Sequence, residues 1–284
     1  MFNVIRMELV RMFKTRSFYI TIVVCALFMT GMLYILSPVM NQAFEASEGQ
    51  STSAVVSQET EDGWTVAMNI ADTSVACPNN VCAPYISLSV LFVVIFIACF
   101  VGEFYKNGFC KNVLGKVRHK YYFQAAKLAC VMVYTAIIMS VTVTVSLITA
   151  NCLINSFEFV YMKEFAMFLL GEYCLLTVIG LAAAFFTELS GSKIPAIIYI
   201  VLCSTNIIAS LVGAANDKLS ELLSTEILIE DYLPSLYQLK FQTEIPSNSF
   251  MENSNLIRAL VLSLAAFVVY NIIGSVLITK RDVK

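Results

Sequence analysis

The chain has 284 residues, 58% of them hydrophobic and 13% charged, with a formal net charge of −2. About a quarter of the residues of a soluble domain are charged, so this composition excludes an ordinary soluble protein and points to a membrane protein. The near-zero net charge says little; its distribution along the chain says more.

Residues 1–16, MFNVIRMELVRMFKTR, place Phe2, Ile5, Leu9, Met12 and Phe13 near helical spacing with Arg6, Arg11 and Lys14 between them. That pattern predicts an amphipathic helix lying on a membrane surface; a basic flank that only orients the next segment is the plainer alternative. Six apolar runs follow, at 17–37, 84–101, 122–154, 165–187, 194–214 and 259–279. About 20 apolar residues cross some 30 Å of hydrocarbon, and every backbone amide there needs an internal partner. The expected fold is therefore an all-α membrane protein: an interfacial helix at 1–16, a six-helix domain at 17–279 and a tail at 280–284. The first apolar run exceeds a secretory h-region and ends at Ser37-Pro38, so it reads as an uncleaved helix. The stretch Leu128 to Phe157 is wholly uncharged, about 45 Å of helix at 1.5 Å per residue, and must tilt or protrude.

Fourteen of the eighteen Lys and Arg lie at the N-terminus, in the second connection, at Lys193 in the fourth, or in the tail. The first connection, 38–83, carries Glu45, Glu48, Glu59, Glu61, Asp62 and Asp72 and no base. The fifth, 215–258, carries seven acids against Lys218, Lys240 and Arg258. Lys and Arg near helix ends are retained in the cytoplasm, so six spans with both termini inside satisfy the alternation. The first outer loop opens polar and low in complexity, EASEGQSTSAVVSQET, as a flexible rim or a small cap. In the fifth, Leu219, Leu222, Leu223, Ile227 and Leu228 approximate one helical face between Asn216 and Tyr232, with Pro234 as the stop.

Seven of the nine cysteines sit in or beside the spans, where they act as small apolar residues. Cys77 and Cys82, in CPNNVC, lie on the expected outer side, where a disulfide is open to them. Two cysteines without nearby histidines fall short of a zinc set. His119, the only histidine, lies in the basic second connection, which leaves Ser-His hydrolysis and His-based metal sites without a base or ligand. A phosphate loop is missing too: six residues separate Gly108 from Gly115-Lys116, and Val117 replaces the magnesium-binding hydroxyl. Within the spans, Glu172 in FLLGEYCLLTV is the notable ionisable group, a functional candidate by default in hydrocarbon. Ser204-Thr205-Asn206 either lines a polar path or bonds between helices.

The second connection, VGEFYKNGFCKNVLGKVRHKYYFQAAKL, resembles the corresponding segment of ABC-2 type permeases. The matching positions are Glu103-Phe104, Gly108, Lys111-Asn112, Arg118, Tyr121 or Tyr122, and Lys127. The resemblance implies a coupling helix over Glu103 to Asn112, with Lys106, Asn107 and Lys111 facing water, that docks on an ATPase. It further implies two separate ATPase subunits holding ATP and magnesium, and a second or paralogous permease copy. Lipid would surround the pair in a bacterial cell membrane, with no nucleic acid among the partners and no chemistry performed by this chain. The layout looks closest to permeases for antimicrobial peptides, lantibiotics or drugs, with Glu172, Ser204 and Asn206 as candidates along the path. An ion-coupled transporter using Glu172, or a nontransporting scaffold or sensor, is the alternative.

Overall fold

The computed structural model describes residues 2–47, 55–59, 65–69, 78–106, 121–154, 157–159, 162–204, 232–247 and 253–280, with Val212 and Asn216 singly. Eight helices are named here in chain order: α1 Phe2–Lys14, α2 Arg16–Ser47, α3 Pro78–Lys106, α4 Tyr121–Leu153, α5 Met162–Ser190, α6 Ile194–Ser204, α7 Pro234–Ser247 and α8 Asn253–Lys280. The first connection, 38–83, contains an antiparallel hairpin, β1 Val55–Glu59 with β2 Thr65–Asn69, in the register Val55 opposite Asn69 to Glu59 opposite Thr65.

Among the described residues, five helices are long and apolar enough to cross a membrane. They are α2, α3, α4, α5 and α8, and they match five of the six expected runs. The sixth run, 194–214, begins as α6, and the eleven residues described for it fall short of the roughly 20 a span needs, so it is not among the five. Residues 205–211, 213 and 214 of that run lie outside the described residues, as does the expected amphipathic face of 217–231.

The helices α3 and α5 form the centre of the bundle. Over their most apolar windows α5 is 67% buried and α3 56%, against 22% for α2 and 11% for α8. The two inner helices pack on each other and on α4, while α6, α7 and α8 all rest on α5. Inner and peripheral helices are about equally apolar, because lipid accepts a hydrocarbon side chain as readily as a core does. The largest core cluster joins α1 to α5 and is centred on rings: Phe96 stacks on Tyr134 at 4.0 Å between centroids, and Phe18 meets Phe96 edge-on at 5.9 Å.

The helix ends overrun the apolar runs, since backbone hydrogen bonding does not stop where hydrocarbon does. In α2, Pro38 deprives the Tyr34 carbonyl of its usual partner four residues on. Ser37 Oγ donates to that carbonyl at 3.0 Å, and the helix continues to Ser47. Asn41 in this extension donates to the Leu153 carbonyl at 3.0 Å, capping the last turn of α4. The turn from α5 to α6 is made at Gly191, whose φ of 67° suits a residue without Cβ, and whose amide bonds to the Thr187 carbonyl at 2.9 Å.

Helix α1 breaks from α2 at Thr15, which hydrogen-bonds through its hydroxyl to the Arg11 carbonyl at 2.8 Å. The helix lies against α4 and buries Glu8 and Met12, one turn apart, while Val10 and Phe13 are exposed. The protein thus spends one stripe of α1 on the bundle and leaves another uncovered. Pro234, expected as the stop of a helix, stands at the start of one. With no amide to satisfy, proline suits a first turn, and the Leu233 carbonyl accepts the amides of Leu236 and Tyr237 at 3.1 and 2.8 Å.

Candidate functional site

Two buried carboxylates on α5, sixteen positions apart in sequence, organise the polar interior. Glutamate is almost never fully buried unless paired, and Glu172 and Glu188 are 0% and 3% exposed.

Glu172 lies where α7 crosses α5. Gln238 and Gln242, one turn apart on α7 and both buried, donate their side-chain amides to Glu172 Oε2 at 2.9 and 3.1 Å. Glu172 Oε1 has no hydrogen-bond partner among the described residues. Around this polar centre the contact is apolar and aromatic. Phe241 stacks on Phe168 at 5.8 Å with an interplanar angle of 8°. The ring presses on Gly171, where an added Cβ would come within 2.5 Å of Phe241 Cζ, so only glycine admits this approach. Tyr237 hydroxyl donates to the Asn255 carbonyl at 3.1 Å and ties α7 to α8. Cys82, Ala83, Ile86 and Met139 close the floor.

Glu188 marks the opposite end of α5, where it accepts a short hydrogen bond from Lys127 Nζ in a buried ion pair. Lys127 also stands over the Phe123 ring at 4.4 Å and the Phe104 ring at 5.3 Å. Those rings stack on each other at 4.4 Å. From α1, Arg11 pairs with Glu8 at 3.1 Å, donates to the Phe100 carbonyl at 3.0 Å and covers the Phe100 and Phe104 rings at 4.4 and 5.1 Å. Burial pushes the Glu8 carboxyl above the ordinary carboxylate range, against the opposing pull of Arg11 and then Lys127. Two acids and two bases therefore join α1, α3, α4 and α5 around three phenylalanines, and cation–ring contacts of this kind gain strength when desolvated.

The residues singled out from the sequence distribute unevenly over this framework. Glu103 is exposed in the last turn of α3, whereas Phe104 is 1% exposed and belongs to the aromatic stack. Lys106 ends α3; Asn107, Gly108, Lys111, Asn112, Arg118 and His119 lie outside the described residues. The four residues Glu103 to Lys106 thus continue α3 without a break. Ser204 ends α6, and Asn206 falls outside the described residues, so neither is brought to Glu172 by anything described. Cys82 is a free, fully buried thiol, and its expected partner Cys77 is outside the described residues. Among the described residues no cluster of His, Cys, Asp and Glu could hold a metal.

Sequence reasoning missed the partners. Gln238 and Gln242 had a signal, two amides at i and i+4 directly after a helix-starting proline. Lys127 stood out only as a position of the resemblance, and Glu188 had only its place just beyond the fourth apolar run. No protein-family model matches the chain, and no curated protein does.

Proposed function

We propose that the chain is the membrane subunit of an ABC-2 type exporter, working as a pair with two separate ATPase subunits and moving a peptide of the antimicrobial or lantibiotic kind, or an amphiphilic drug, out of a bacterial cell. The observation that carries the reading is the basic, glycine-punctuated connection from Glu103 to Lys127, set between two membrane-length helices. Charge alternation supports six spans with both termini and this connection in the cytoplasm, and α1 then lies on the inner surface.

The buried cluster adds mechanical support to the reading. Arg11 and Lys127 grip Phe104 from two sides, so the residues at which the connection leaves α3 and enters α4 are fastened to α1 and α5. A push on the connection is delivered to the bundle rather than absorbed at a loose joint. ATP and magnesium belong to the partner in this scheme, and the chain itself does no chemistry. The test is copurification with a candidate ATPase encoded beside this chain. Retention by the unaltered chain and loss in Glu103→Ala with Lys111→Glu is the expected result; equal retention in both would overturn a docking role for this connection.

A second reading, an ion-coupled transporter, draws on the full burial of Glu172. It requires transport that survives removal of every ATPase and disappears in Glu172→Gln.

A further inference from the structure

At fourteen residues α7 is about 21 Å long, too short to cross a membrane. Yet its middle turn is the part of the described chain that reaches Glu172, and the fit is incomplete in a particular way. Both amides bind the same oxygen, Oε2, and Oε1 is left without a donor at 0% exposure. An ionised carboxylate offers about four acceptor positions; α7 fills two, both on one oxygen and both with neutral donors. An interface evolved only for permanence would gain by replacing such a half-satisfied group with an apolar one.

We propose that α7 is an internal plug seated in a cation-accepting site centred on Glu172, and that the ligand of this site is an amphiphile bearing a guanidinium or ammonium group. The donors of Gln238 and Gln242, held one turn apart, stand where the N–H groups of such a cation would lie. A guanidinium spans both oxygens of a carboxylate in parallel and forms charge-assisted bonds about twice as strong as neutral ones, so it supplies Oε1 with the donor that α7 withholds. The walls suit the apolar remainder of the ligand: Cys82, Ile86, Met139, Phe165 and Phe168 lie beneath Tyr237 and Phe241 of the plug. Gly171 contributes by having no side chain, which leaves room for a ring beside the carboxylate. Because the ligand binds the site only with α7 lifted, it shifts the seated–lifted equilibrium by its whole affinity for the open form.

The inference names a substrate class for the proposed exporter and rests on that reading for its meaning in transport, whereas binding at Glu172 needs no ATPase. Cys82 provides an internal reporter, since the thiol is fully buried in the cluster that α7 closes. The full chain in lipid nanodiscs is exposed to N-ethylmaleimide, and modification of Cys82 is resolved from the other thiols by peptide mass mapping. Because the bound ligand covers Cys82, the thiol reacts only while α7 is lifted and the site is empty; dodecylguanidinium is therefore expected to slow Cys82 modification about tenfold at roughly ten times its apparent dissociation constant, and uncharged dodecanol to leave it unchanged. In Glu172→Gln the rate with and without dodecylguanidinium becomes nearly equal. No slowing in the unaltered chain, equal slowing by dodecanol, or undiminished slowing in Glu172→Gln would overturn the proposal. Gln238→Leu with Gln242→Leu keeps Glu172 and loosens the plug, so it should raise modification without any ligand; an unchanged rate there also overturns it. A negative outcome in these arms leaves the ATPase copurification result standing, and the reverse holds equally.

Discussion

Lys127 and Glu188 show how much a single pair can hold. A buried pair is weak evidence for stability as a whole, but removing one partner leaves an uncompensated charge that costs about 3–5 kcal/mol. Lys127→Met should therefore lower the unfolding midpoint of the detergent-solubilised protein sharply, and Lys127→Met with Glu188→Leu should restore much of the loss. Equal or greater loss in the double variant would show that the pair is not the source. Glu8 yields a pH dependence of definite sign. Its carboxyl is raised in the folded protein by burial, with Arg11 and Lys127 opposing, so the folded state holds this proton more tightly than the unfolded chain. The associated stability is present below the ordinary glutamate pKa of about 4.3 and is lost as pH rises through the higher folded value. Thermal midpoints of Glu8→Gln should lack that part of the decline. A decline identical to that of the unaltered chain would assign it to other groups. Glu8 and Arg11, three apart on an expected helix, were spaced to pair, whereas Lys127 and Glu188 stand 61 positions apart and no sequence spacing joins them.

At the scale of the element, apolar length and the requirement for internal backbone partners make five spans readable, and their bounds move outward once polar turns are included. The hairpin of β1 and β2 was not readable, since Ser, Gln and Glu dominate its first strand. Pro38 closes the apolar run, as expected, without closing the helix: the carbonyl it orphans finds another donor in Ser37. The seat of α7 on α5 depends on the missing side chain of Gly171. Gly171→Ala forces the new Cβ against the Phe241 ring, an overpacking worth about 1–3 kcal/mol. Gly171→Ala should therefore lower the unfolding midpoint, and adding Phe241→Leu should recover part of the loss by vacating the ring's position. Failure of the second change to help would place the cost elsewhere on α5.

On the scale of the whole molecule, α5 is the member that reaches both polar centres. Sixteen positions separate Glu172 from Glu188, about 24 Å of helix, and perturbations more than about 10 Å apart with no shared partner add within roughly 0.5 kcal/mol. Lys127→Met and Gln242→Leu should accordingly add in denaturant unfolding. A larger interaction energy would mean that the two ends share one cooperative rearrangement through α5.

The order of the partners along the chain also bears on how the protein is made. Lys127 precedes Glu188 by 61 residues, so the acid at one end of α5 meets a base already synthesised. Glu172 instead precedes Gln238 and Gln242 by 66 and 70 residues. At about 5–20 residues per second, its acceptors wait roughly 3–14 seconds on the ribosome before any amide can reach them. An α5 that is inserted as it is synthesised therefore has a basic partner for Glu188 already in the chain and none of its finished partners yet for Glu172.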